Sequence, residues 1–156
     1  MKRLLLIRHA KATQESGFKD FERPLTHQGI QDATAMAGRL HTHSHIPQHI
    51  VASPALRTLT TANIFSQHLS LAAAHTDKLI YDATADNLMD VINALPDNYD
   101  FIALVGHNPG IAQVLHYLSG QIKDMHTCAV ALIDFETDEW KALSADTGNL
   151  VYYDMP

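Results

Sequence analysis

Four side chains in this sequence could do chemistry together: Arg8 and His9 in "LLLIRHAKA", Arg57 in "SPALRT", and His107 in "VGHNPG". An arginine beside a histidine at the end of an apolar run is electrostatically costly unless an anion visits. A second arginine supplies another rigid, permanently charged fork that matches phosphate oxygens. The two histidines add one candidate nucleophile or base and one tunable hydrogen-bond donor. Phosphate is the ligand that suits this set best.

The elements that must position these residues are legible as alternating apolar runs and amphipathic stretches. "RLLLI" is a short continuous apolar run, as expected of a strand covered on both faces. "LTHQGIQDATAMAGRL" predicts a helix capped by Thr26, with Ile30, Ala33, Ala37 and Leu40 along one face. "HIVAS" predicts a second strand. "SPALRTLTTANIFSQHL" predicts a helix with Ser53 as cap, Pro54 at its first position, and Ala55, Leu59, Ala62, Phe65 and Leu69 facing inward. "LIYDA" is a weaker strand, and "DNLMDVINALP" a short helix stopped by Pro96 and carrying Leu88, Ile92 and Leu95. "DFIALVG" reads as a buried strand. "NPGIAQVLHYLSG" reads as a helix with Asn108 as cap, Pro109 in its first turn and Gly120 at its end. "CAVALIDF" and the segment around Trp140 are expected to close the sheet as an edge hairpin.

Strands alternating with helices point to an α/β/α domain of three layers with a mostly parallel central sheet. Ligands of such sheets sit beyond the carboxyl ends of the strands. Three expected strands end in Arg8-His9, in Ser53-Pro54 with Arg57 one turn on, and in Gly106-His107-Asn108. The last two also open helices, whose free N–H groups suit an anion. Each motif alone is ordinary, whereas their placement at three strand ends argues for one shared pocket.

Length and composition set the outer bounds. The 156 residues suit one domain, spanning 1–156, that needs no staples. A formal charge of −6 disfavours nucleic acid held by general electrostatics. The single cysteine, Cys128, is expected to be a buried, reduced thiol. The apolar stretch Leu4–Ile7 is shorter than the roughly 7–15 residues of a signal-peptide core, and no run reaches transmembrane length. The expected compartment is the cytoplasm, with no membrane partner.

"LIRHA", "SPALRT" and "VGHNPG", in this order, resemble the histidine phosphatase (phosphoglycerate mutase-like) superfamily. "RHAKA", "RPLTHQG" and "GHNPG" are most similar to the bacterial phosphohistidine phosphatases of the SixA type. The resemblance runs from Lys2 to about Gly120. It implies a phosphoglycerate mutase-like fold and a nucleophilic His9 that becomes transiently phosphorylated. Arg8, Arg57 and His107 would form the phosphate pocket, and Arg23 in "RPLT" would add a phosphate or substrate contact. Arg23 reads equally well as a loop arginine paired with Asp20 or Glu22. Asp82 stands where many members of the family carry a general acid, with Asp86 as another choice or as a helix cap.

The resemblance requires no metal or other cofactor, because the guanidiniums supply the positive charge. It implies a phosphorylated protein, such as a histidine phosphotransfer domain, as substrate and phosphorelay signalling as setting. A small-molecule phosphatase for sugar or nucleotide phosphates and a phosphate-binding module without turnover are the alternatives. The short connections leave little chain for a lid, which favours a phosphorylated protein side chain. Presence of both His9 and His107 argues against a mere binder. "LHTHSHIPQHI" places His41, His43, His45 and His49 close together, but without a cysteine or carboxylate to complete a metal set. They are expected to be solvated helix-end and loop residues. Lys11 has no role at this level.

Overall fold

The computed structural model describes residues 1–156, and its core is a single six-stranded sheet. Strands β1 (Lys2–Arg8), β2 (His49–Ala52), β3 (His75–Thr76), β4 (Phe101–Gly106), β5 (Val130–Phe135) and β6 (Gly148–Asp154) lie in the order β3-β2-β4-β1-β5-β6. The first four are mutually parallel, β5 runs antiparallel to β1, and β6 runs antiparallel to β5. Helices α1 (His27–Thr42), α2 (Leu56–His68), α3 (Ala85–Asn93) and α4 (Gly110–Ser119) complete the fold.

The run "LLLI" shows why this chain makes a layered sheet. Leu4 and Leu6 pack with α3 and α4 on one face, and Leu5 and Ile7 with α1 and α2 on the other. All four are fully buried. Strand geometry sends successive side chains to opposite faces, so only a strand covered on both sides can be apolar at every position. β4 repeats the pattern, with Ile102 and Leu104 on one face and Phe101, Ala103 and Val105 on the other. The three-layer α/β/α expectation holds.

The register brings the chemical residues together. Arg8 pairs with Gly106, and Ala52 with Val105, so β2, β4 and β1 are neighbours that end at one edge. The His9 N–H donates to Gly106 O at 3.1 Å, and the Ser53 N–H to Val105 O at 3.2 Å.

Several local expectations need correction. "LIYDA" is not a strand: β3 lies earlier, and Lys78–Ile80 forms a 3₁₀ turn because the Asp77 carboxylate accepts from the Leu79 N–H at 2.9 Å. Ile80 is buried there while Leu79 points outward. Trp140 likewise sits in a 3₁₀ turn, its N–H taken by Asp97 and its indole N–H by Tyr99 O. The closing edge strand is β6, residues 148–154.

Helix phases and caps also shift. In α1 the buried face is Gly29, Ala33, Met36, Ala37 and Leu40, leaving Ile30 exposed. Gly29 presses so closely on the loop after β1 that an added Cβ would lie 2.2 Å from Lys11 O. Thr26 caps α1 as expected. α2 starts at Leu56 with Ala55 as cap, so Ser53 and Pro54 precede the helix, and Leu59 is only half-buried. Thr84, not Asp86, caps α3. Pro109 holds the cap position of α4, after a cis Asn108–Pro109 peptide, while the Asn108 side chain donates to Met125 O. Gly120 ends α4 at φ +73°.

Three histidines of "LHTHSHIPQHI" pack on tyrosine rings. His43 and His45 lie on Tyr152, and His49 lies parallel to Tyr99 with ring centroids 4.8 Å apart. Cys128 is buried, and burial pushes its thiol up to about 12. No helix is long and apolar enough to cross a membrane.

Candidate active site

Beyond the ends of β1, β2 and β4 lies a cavity of about 460 Å³. Arg8, Lys11, Arg23 and Arg57 line it together with His9 and His107; Ala12 is its one apolar residue, and no carboxylate lines it. Four cations and two imidazoles around one hollow make an anion site.

His9 follows β1 directly and is 7% exposed. Its backbone is gripped from two sides, by Gly106 O and by the Cys128 N–H. Nδ1 lies 2.7 Å from Ala10 O. A carbonyl oxygen can only accept, so Nδ1 carries the proton and Nε2 keeps a free lone pair. Burial, more than any cation, holds this imidazole down to about 3, with smaller contributions from His107, Arg57 and Arg8. The ring is therefore neutral near pH 7, as a nucleophile must be.

The His107 ring lies 5.4 Å from that of His9, centroid to centroid. Its Nε2 is 2.8 Å from Ser53 Oγ, and its Nδ1 has no partner in the protein. Burial, followed by the charge of Arg57, holds it down to about 4.

Arg57 is buried and Arg8 half-buried, and each donates from its guanidinium tip to the protein. Arg8 Nη1 donates to Met125 O at 3.1 Å; Arg57 Nη1 and Nη2 donate to Asp20 O and Asp20 Oδ2 at 2.7 and 3.1 Å. Nε of each is buried without a partner. The protein leaves four buried side-chain polar atoms unpaired, and three are Arg8 Nε, Arg57 Nε and His107 Nδ1. Unpaired buried donors cost free energy until an acceptor arrives. All three belong to residues that line the hollow, whose cations favour a multi-oxygen anion.

Arg23 makes the expected pair with Asp20 and stands at the cavity wall. It donates to Asp20 Oδ1 at 3.2 Å and to Thr13 O at 3.1 Å. In the sequence Asp20 reads only as that partner, yet it also holds Arg57 and accepts from the Tyr81 hydroxyl at 2.6 Å. The Tyr81 hydrogen bond is the main reason its carboxyl lies down near 2. Asp82 is exposed, sits at φ +52°, and does not line the cavity. Lys11, without a role in the sequence, faces the cavity, and its carbonyl is fixed by the Thr26 N–H at 2.9 Å. Ser53, read as a helix cap, instead meets His107. No sequence signal marks that contact, which spans 54 positions.

Comparison with known proteins gives the chain a family and a fold. The family model of the histidine phosphatase superfamily (branch 1) matches residues 4–83. An uncharacterized chloroplastic protein of Arabidopsis thaliana is 30% identical, over 94% of this chain and 72% of its own length. A structure from Agrobacterium tumefaciens, described as a candidate phosphohistidine phosphatase SixA, superposes with a TM-score of 0.85 at 23% identity, covering 99% of this chain and 98% of that one. The protein histidine phosphatase SixA complexed with tungstate gives a TM-score of 0.84 at 19% identity, covering 98% and 96%. At these identities the structural matches speak for the fold.

Proposed function

Because the chain belongs to the histidine phosphatase superfamily, we propose that it is a phosphatase that hydrolyses phosphohistidine on a protein through a phosphorylated His9. The observation that carries this reading is the pairing of a neutral His9, its Nε2 lone pair free, with an arginine-lined hollow that holds no carboxylate. Tungstate, a tetrahedral oxyanion bound by a SixA protein of the same fold, supports a phosphate in the hollow.

In the first step, Nε2 of His9 forms a bond to phosphorus in line with the departing nitrogen. The P–N bond of the substrate breaks, its electron pair stays on the substrate imidazole, and solvent supplies any proton that nitrogen needs. Arg8, Arg57 and His107, which line the hollow, stabilise the equatorial oxygens as charge spreads over them. In the second step water bonds to phosphorus, the N–P bond to His9 breaks, and the pair returns to Nε2. One displacement becomes two easier ones. Arg23, at the cavity wall, adds a substrate contact.

An alkoxide leaving group would call for a protonating acid, the role expected of Asp82. The hollow lacks a lining carboxylate, and a labile P–N bond asks less of an acid, so the reading favours phosphohistidine over sugar or nucleotide esters. A histidine phosphotransfer domain in a phosphorelay is the partner this chemistry fits. The test is turnover measured in parallel on a phosphorylated histidine phosphotransfer domain and on a panel of sugar phosphates, with trapping of phosphorylated enzyme. Preference for the protein, and loss of turnover and trapped phosphate in His9→Ala, are expected. Preference for sugar phosphates, or full activity of His9→Ala, overturns the reading.

A further inference from the structure

His9 and His107 share a pocket, but their hydrogen bonds run in opposite senses. His9 gives its Nδ1 proton to Ala10 O and keeps a bare Nε2. His107 has Nε2 beside Ser53 Oγ and an unpaired, buried Nδ1. Which of the two nitrogens of His107 is protonated depends on Ser53, a fully buried residue.

Ser53 Oγ already accepts from the Ala55 N–H at 3.2 Å. Two arrangements with His107 are open to it. If Nε2–H donated to Oγ, the hydroxyl hydrogen of a fully buried serine would be left over, and the bare Nδ1 lone pair would face an incoming anion. If Oγ–H donates to Nε2, every hydrogen around Ser53 is used, and Nδ1 carries a proton that points at no protein acceptor. Only the second arrangement avoids an orphan hydroxyl and turns the unpaired Nδ1 into a donor for a phosphoryl oxygen.

We infer that Ser53 is a positioning residue: its hydroxyl donates to Nε2 of His107 and so fixes the tautomer whose Nδ1–H meets the phosphoryl group. The same backbone places it, since Ser53 directly follows β2 beside the end of β4, and its carbonyl also accepts from Thr58 Oγ1 at 2.8 Å. His107 is held neutral by burial, so its contribution is that of a directed N–H rather than of a full charge. The inference rests on the phosphatase reading for its purpose, but not for its measurement.

Long-range ¹H–¹⁵N correlation of the His107 ring in ¹⁵N-labelled protein without substrate reads the tautomer directly, with His107→Asn used only to assign the signals. The expected result is a protonated Nδ1 and a bare Nε2 near pH 7. In Ser53→Ala the ring should shift toward Nε2–H, kcat for phosphohistidine should fall about tenfold or more, and orthovanadate affinity should fall with it. Ser53→Thr, which keeps the hydroxyl, should retain the wild-type tautomer. A wild-type ring protonated at Nε2 overturns the inference whether or not the variants fold. Wild-type kcat and an unchanged tautomer in Ser53→Ala also overturn it. A protonated Nδ1 in a protein that turns over no phosphohistidine counts against the proposed function alone.

Discussion

Asp20 holds Arg57 by two contacts at once: its carbonyl accepts from Nη1 at 2.7 Å, and its carboxylate from Nη2 at 3.1 Å. The same carboxylate receives Arg23 and the Tyr81 hydroxyl. One acid in the loop between β1 and α1 therefore sets the direction of two arginines that line the cavity. Each Nη of Arg57 gives one N–H to Asp20 and keeps a second, while its Nε is buried without a partner.

Asp20→Asn should therefore loosen both guanidiniums while leaving the fold intact. A loss of about tenfold in kcat/KM is expected, equivalent to ~1.4 kcal/mol of transition-state stabilisation. Steady-state kinetics on a phosphohistidine substrate, beside circular dichroism, measures it. Tighter orthovanadate binding in the variant would mean that Asp20 competes with the anion instead.

Arg57→Lys keeps the charge but replaces a planar fork with a point donor. The Asp20 grip and the free Nε–H cannot both survive that exchange. A fall of about a hundredfold in kcat is expected, the order seen when a preorganised donor to a developing anion is lost. A kcat within twofold of wild type would show that charge alone suffices.

Stability should depend on pH through the two pocket histidines. In the folded protein burial holds His9 down to about 3 and His107 to about 4, whereas an unfolded histidine titrates near 6.5. Between those values the unfolded chain binds protons that the native state refuses, so stability falls as pH drops below about 6.5 and levels off above it. Urea midpoints at pH 5 and pH 7.5 should differ in that direction. The difference should shrink in a His9→Asn, His107→Asn double variant, with His45 and His49, also held low by burial, supplying part of the remainder.

Two glycines of α1 make a paired test. At Gly29 a methyl group would lie 2.2 Å from Lys11 O, while at Gly38 nothing is within 4 Å. Gly29→Ala should cost about 1–3 kcal/mol by overpacking and displace the loop that carries His9, Ala10 and Lys11. Gly38→Ala should stabilise by up to about 1 kcal/mol through helix propensity. Thermal melts of the two variants should move in opposite directions, with activity lost only in the first.

Much of this molecule is legible in its sequence because the signals are local. The unbroken "LLLI" can be satisfied only by a strand buried on both faces, and Gly120 after "VLHYLS" marks a helix end by its left-handed backbone. The order of "RHA", "SPALR" and "GHNPG" placed Arg8, His9, Arg57 and His107 at parallel strand ends, and the structure brings them to one cavity. Trp140 misleads at the level of sequence because its apolar character suits a strand or a plug equally. Only folding delivers the Asp97 carboxylate to its N–H and makes it a turn.

The supporting contacts were decided by tertiary structure alone. Asp20 and Arg57 lie 37 positions apart, and Ser53 and His107 lie 54 apart. Nothing in the local chemistry of a loop aspartate or of a serine before proline names its distant partner. A carboxylate near the third strand drew attention to Asp82, yet the acid that reaches the pocket arginines is Asp20. Residue types and short-range periodicity specify which elements form and what charge they bring to the sheet edge. Strand register and the path of the β1–α1 loop determine which acid grips which arginine and which nitrogen of each histidine is free.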